Sequence, residues 1–246
     1  MFNAFFTGLI ATSSLILGSL ISIRFEIKSK LLGIVMAFGA GTLISAVAYE
    51  LVYEAVRLAK ATGYPAFGFF SGALMFFFSD MIIAKLGIKN RKAIKGAHTS
   101  GLVVPMLLGV ILDGVPESIV IGLGISEGGK VSLSMLAAVF ISNLPEAIAG
   151  TTGMKAGGWK TANILLLWFA IAVICAFSTM AGATLFTTTP DTWLAFIQAF
   201  AAGAILMMLA NSMIPEAYEH GGKLAGIFTV LGFFTALTIV ILENMK

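Results

Sequence analysis

The sequence predicts an all-α polytopic membrane protein: eight transmembrane helices with inverted-repeat character, forming a single transmembrane domain over residues 1–246.

Three observations predict this class. The composition is 59% hydrophobic and 11% charged, against about 25% charged in soluble domains. Its 27 charged side chains cannot clothe a water-soluble chain of 246 residues. Eight apolar segments have the roughly 20-residue length that crosses the hydrocarbon core. Finally, GAGTLISAVAYELVYEA (39–55) lies on AAGAILMMLANSMIPEA (201–217) at a constant offset of 162 residues, matching Gly41 to Gly203, Glu54 to Glu216 and Ala55 to Ala217.

The spans run in order along the chain. Span one, 3–23, begins in MFNAFF, which lacks a basic n-region, so it is expected to be an uncleaved helix rather than a signal peptide. Span two, 31–56, holds the first copy of the repeat. Span three, 64–84, carries Gly68 and Gly72 at the spacing that lets helices approach closely, within the chain or in a homodimer. Spans four and five, 101–123 and 131–153, combine apolar length with buried acids and an internal proline each. Span six, 161–186, contains Cys175, the single cysteine, which can close no intrachain disulfide and reads as a small buried hydrophobe. Span seven, 192–216, is the second copy of the repeat, and span eight, 222–243, completes the set. Spans two and seven differ by an odd number and so cross in opposite directions, the inverted arrangement common in secondary transporters. VPES (115–118) and LPEA (144–147) relate spans four and five in the same way.

Lysine and arginine set the expected orientation. Eleven fall in the odd-numbered connections and four on the other side, which places both termini outside the cytoplasm. The densest run, KLGIKNRKAIKG, is a topology signal with an anionic-lipid contact as the alternative, and no nucleic-acid partner is expected. Short loops and the absence of a targeting extension fit a bacterial or archaeal inner membrane.

The informative residues are acidic. Asp113 and Glu117 are four apart and share one face of span four, while span five supplies Ser142, Asn143 and Glu146. A charge at mid-membrane costs about 2.5–3.5 kcal/mol on insertion scales, so each needs an interior place and a partner or ion. Facing one another, these helices would offer hard oxygen ligands to one or two divalent cations. Pro116 and Pro145 precede two of the glutamates and should free the carbonyls of Leu112 and Ile141, unwinding the helix locally. A third Pro-Glu pair ends in Glu216 on span seven, with Asn211 and Ser212 one turn earlier. Glu50 and Glu54 read as an outer vestibule or a solvated helix end, and Glu219 and His220 as an exit to water or simple solvated residues. Asp80, Glu243 and His98 look like interface residues. Met106, Met207 and Met208 read as core or as soft ligands.

Eight short-looped spans with VPES, LPEA and IPEA resemble the ZIP family of zinc and iron transporters over essentially the whole chain. The family pattern in span four reads His-Asn-x-Pro-Glu-Gly. The resemblance implies a ZIP-like fold with a metal site between spans four and five, spans one to three related by inversion to six to eight, and inward transport of divalent metal, chiefly zinc. Glu117 and Glu146 fall on the two family glutamates, and Asn143 and Ser142 on the polar positions of span five. Asp113 stands where the family usually has His, and Gly114 where it usually has Asn. With no imidazole left, an oxygen site keeps Zn2+ and widens the choice toward Mn2+, Fe2+, Cd2+ or Co2+. The metal is cargo, and no resident cofactor is expected.

Two other readings stand beside it. The carboxylates could relay protons for a different transported substrate, or activate water in an intramembrane hydrolase. No Ser-His pair or HExxH motif supports the enzyme, so the chain is expected to be none.

Overall fold

Each apolar stretch becomes a helix because, in hydrocarbon, every backbone N–H and C=O must find its partner within the protein. The computed structural model describes residues 2–59, 62–85, 103–128 and 132–245. It contains α1 (Phe2–Arg24), α2 (Ser29–Leu58), α3 (Tyr64–Lys85), α4 (Val103–Gly128), α5 (Leu133–Ala156), α6 (Thr161–Leu185), α7 (Asp191–Gly221) and α8 (Leu224–Asn244). All eight are long and apolar enough to cross a membrane. Helices α2 and α5 are the most enclosed, and α3 and α8 the most peripheral.

The packing repeats with inversion. Helix α3 lies along α7 as α8 lies along α2, and α1 lies along α5 as α4 lies along α6. Without an aqueous driving force between them, membrane helices associate through close van der Waals fit at small residues. A Cβ on Gly41 would collide with the Thr229 carbonyl of α8, and one on Gly232 with the Phe38 carbonyl of α2. In the other half, Gly203 meets the Phe69 carbonyl of α3 and Gly72 the Phe200 carbonyl of α7 in the same way. Gly68 and Gly72 are thus occupied inside the chain, against Phe196 and Phe200, and that face is closed to a second copy.

A second sign of symmetry is a local change of helix type. Helix α2 widens to a π-helix over Val47–Val52 and α7 does so over Leu209–Met213, starting points again 162 residues apart. Each π stretch comes after the glycine crossing of its own half.

Two expectations from the sequence need correction. Helices α4 and α5 run unbroken through Pro116 and Pro145, so no local unwinding occurs there. Around Pro145 the reason is the neighbouring small residues: the Ile141 carbonyl faces Gly39 of α2 and the Leu144 carbonyl faces Gly18 of α1. Neighbouring backbone fills the space that unwinding would otherwise open. The seventh helix also continues beyond residue 216, to Gly221, where Gly222 takes a left-handed φ of 61° and donates its N–H to the Tyr218 carbonyl at 2.8 Å.

Gly203→Val is expected to destabilise the protein by about 1–3 kcal/mol through overpacking. Gly124→Ala, which would meet nothing within 4 Å, should leave stability unchanged or slightly raised. Thermal unfolding of both variants in detergent checks the pair.

Candidate functional site

Polar groups that hydrocarbon would reject are sunk into α4 and α5. Asp113 and Glu117 are 4% and 2% exposed, and Ser142, Asn143 and Glu146 are 1%, 3% and 5% exposed. Many hydroxyls of the bundle are satisfied by their own helix: Thr12, Thr152 and Thr179 donate to carbonyls four residues back. Ser142 donates to the Val139 carbonyl, three residues back, at 3.0 Å, which leaves its oxygen able to accept or ligate. The Asn143 Nδ2 and Ser118 Oγ atoms are buried and make no hydrogen bond of regular geometry.

Helix α6 encloses the α4 side of this region. A Cβ built on Gly114 would lie 3.1 Å from Cys175 Sγ. The Ser118 hydroxyl lies beside the same sulfur, and Glu117 and Glu146 are both near enough to act on it electrostatically. Glu117 from α4 and Glu146 from α5 thus both lie within electrostatic range of Cys175 on α6.

Ser142 sits at a different junction. A Cβ on Gly39 would stand 3.1 Å from Ser142 Cα and 3.2 Å from Met213 Cε, so α2, α5 and α7 meet there. Met213 ends the π stretch of α7 three residues before Glu216. Glu216 is half-buried on Ile214–Gly221, the segment that packs against α2 and α8. Among the described residues, no three His, Cys, Asp or Glu side chains stand close enough together to hold a metal ion. The carboxylates line a seam between helices, short of a closed coordination sphere.

Acidic residues at the opposite end of α2 have a structural explanation. Glu243 accepts the Leu133 N–H at 2.7 Å and so caps the start of α5. Ser132 accepts the Met135 N–H at 3.1 Å and is within hydrogen-bonding range of Glu50, which also feels Glu54 and Glu243. Unsatisfied N–H groups at a helix start favour negative charge. Glu54 pairs with Arg57 on the same helix.

The remaining candidates are more peripheral. Glu219 is exposed and His220 half-buried, while Ser212 donates to the Met208 carbonyl at 2.8 Å. Asn211 is exposed, Met207 half-buried and Met208 buried. His98 and most of the basic run lie outside the described residues, as does the side chain of Met106. Cys175, Gly114 and Ser118 carry no sequence signal as neighbours of the acidic seam, because their meeting depends on how α6 packs on α4. Glu243 as a helix cap is equally silent, since its partner amides lie 110 residues away.

No protein-family model matches the chain, and no curated protein matches it.

Glu243→Ala should weaken the start of α5 by about 1 kcal/mol, the usual scale for losing a helix cap. Faster hydrogen exchange at the Leu133 and Ser134 amides, with α6 unchanged, is the expected result.

Proposed function

We propose that the protein carries divalent transition-metal cations across the membrane, inward to the cytoplasm, with Asp113, Glu117, Asn143 and Glu146 as the principal contacts. Ser142 and Glu216 complete the proposed path. The observation that carries this reading is that Glu117 and Glu146, each directly after a proline in an apolar helix, are both buried and both within electrostatic range of Cys175. Carboxylates brought together in a medium of low dielectric repel when ionised, and a cation removes that repulsion. Inverted repeats with a polar site between them suit alternating access.

The ZIP resemblance supports zinc as the favoured cargo and supplies the inward direction. Carboxylate in place of imidazole extends the range toward Mn2+ and other oxygen-tolerant ions. The lysine and arginine bias supports extracytoplasmic termini. A second reading draws on the buried carboxylates themselves: they would relay protons for another substrate. The hydrolase reading gains no support from the described residues, and we read the chain as a transporter and not an enzyme.

Proteoliposomes challenged with Zn2+, Mn2+, Fe2+, Cd2+ and Co2+ separate these readings. Saturable flux of at least one metal, falling at least about tenfold in Glu117→Gln, is expected, the scale on which altered ligation weakens metal sites. Flux equal to that of empty liposomes, from folded protein, would favour the proton relay.

A further inference from the structure

Cations from three helices gather where α1 ends. Helix α1 closes on Arg24, α5 carries Lys155 in its last turn, and α6 starts directly after Lys160. Lys155 reaches across to α1, donating from Nζ to the Ser22 carbonyl at 2.9 Å and the Ile23 carbonyl at 3.4 Å. Its charge is thereby fixed at the α1 terminus, where the last carbonyls favour a cation. A tight connection brings Lys160 to the same end: Gly158 takes a left-handed φ of 77°, and the Trp159 N–H donates to the Met154 carbonyl at 3.0 Å. The packing of α1 on α6 agrees. Gly8 lies against Ala176 and Thr179, and Thr12 donates to the Ala172 carbonyl at 3.4 Å. Continued at equal rise, that antiparallel register brings Arg24 level with Lys160.

Arg24 and Lys160 are exposed, and among the described residues neither has an ion-pair partner. The connection from α1 to α2 adds Lys28 and one acid, Glu26, both exposed. Helix α6 has no side-chain cap at its start, so its first amides take their partners from outside the helix. Phe25, 62% exposed, adjoins Arg24, and the half-buried Trp159 adjoins Lys160, both at the ends of membrane-crossing helices. Aromatic rings of that kind sit at the headgroup level of a bilayer.

We propose that this corner of α1, α5 and α6 binds the headgroup of an anionic phospholipid, with Arg24 and Lys160 as its charged contacts and Lys155 as a fixed charge beside them. Basic pockets between transmembrane helices suit such headgroups. A lipid fits better than a soluble anion because the cations end apolar spans and adjoin aromatic rings. One molecule can then meet the charges with its headgroup and the apolar flank with its acyl chains.

Native mass spectrometry of the full-length protein, titrated in detergent with phosphatidylglycerol or phosphatidylcholine, counts the bound lipid directly. Wild type should retain phosphatidylglycerol in preference to phosphatidylcholine. The double variant Arg24→Gln, Lys160→Gln should bind the first phosphatidylglycerol at least about tenfold more weakly, the scale of two cations lost near an anionic surface. Lys85→Gln with Lys223→Gln removes the same charge from the ends of α3 and α7 and should leave that binding unchanged. Equal weakening in the two double variants, with both folded by thermal unfolding, would reduce the effect to bulk charge and overturn the site. Equal retention of the two lipids by wild type would overturn it as well, and displacement of the lipid by inorganic phosphate would assign the corner to a soluble anion instead.

Discussion

Asp113, Glu117 and Glu146 place carboxylates at membrane depth, where an ionised group costs about 2.5–3.5 kcal/mol even on insertion scales. That cost requires helices that shield the groups from lipid and supply polar company. Helices α4 and α5 carry the acids, α6 covers them with Cys175, and α2 and α7 meet α5 at Gly39. The peripheral α3 and α8 are the least buried of the eight helices.

Close glycine crossings make that enclosure feasible. Gly41 with Gly232, and Gly203 with Gly72, bring α2 onto α8 and α7 onto α3 by the same geometry in opposite senses. The π stretches of α2 and α7 then occur at equivalent points, and the one in α7 ends at Met213, beside Ser142. A π-bulge rotates the helical turns beyond it and is common at functional sites.

Much of this architecture is legible in the sequence. Spans are read from apolar length, and the 162-residue repeat is visible because its matched glycines, Gly41 and Gly203, sit where helices approach too closely for a side chain. Burial of Asp113, Glu117, Ser142, Asn143 and Glu146 is expected from their place in apolar helices. The behaviour of Pro145 is not legible, because the fate of the freed Ile141 carbonyl depends on Gly39 of another helix. Cys175 is equally silent: its own segment is uniformly apolar, and only the packing of α6 on Gly114 and Ser118 gives it polar neighbours. The π stretches depend on local backbone accommodation that hydrophobic periodicity does not encode.

The most direct measurement is an anomalous-diffraction map of crystals soaked in Cd2+ at low concentration. A peak between α4 and α5, in contact with Glu117 and Glu146, is the expected result. A map with no peak there, and density only beside Glu50, Glu54 and Glu243 at the far end of α2, would contradict a cation site in the buried seam.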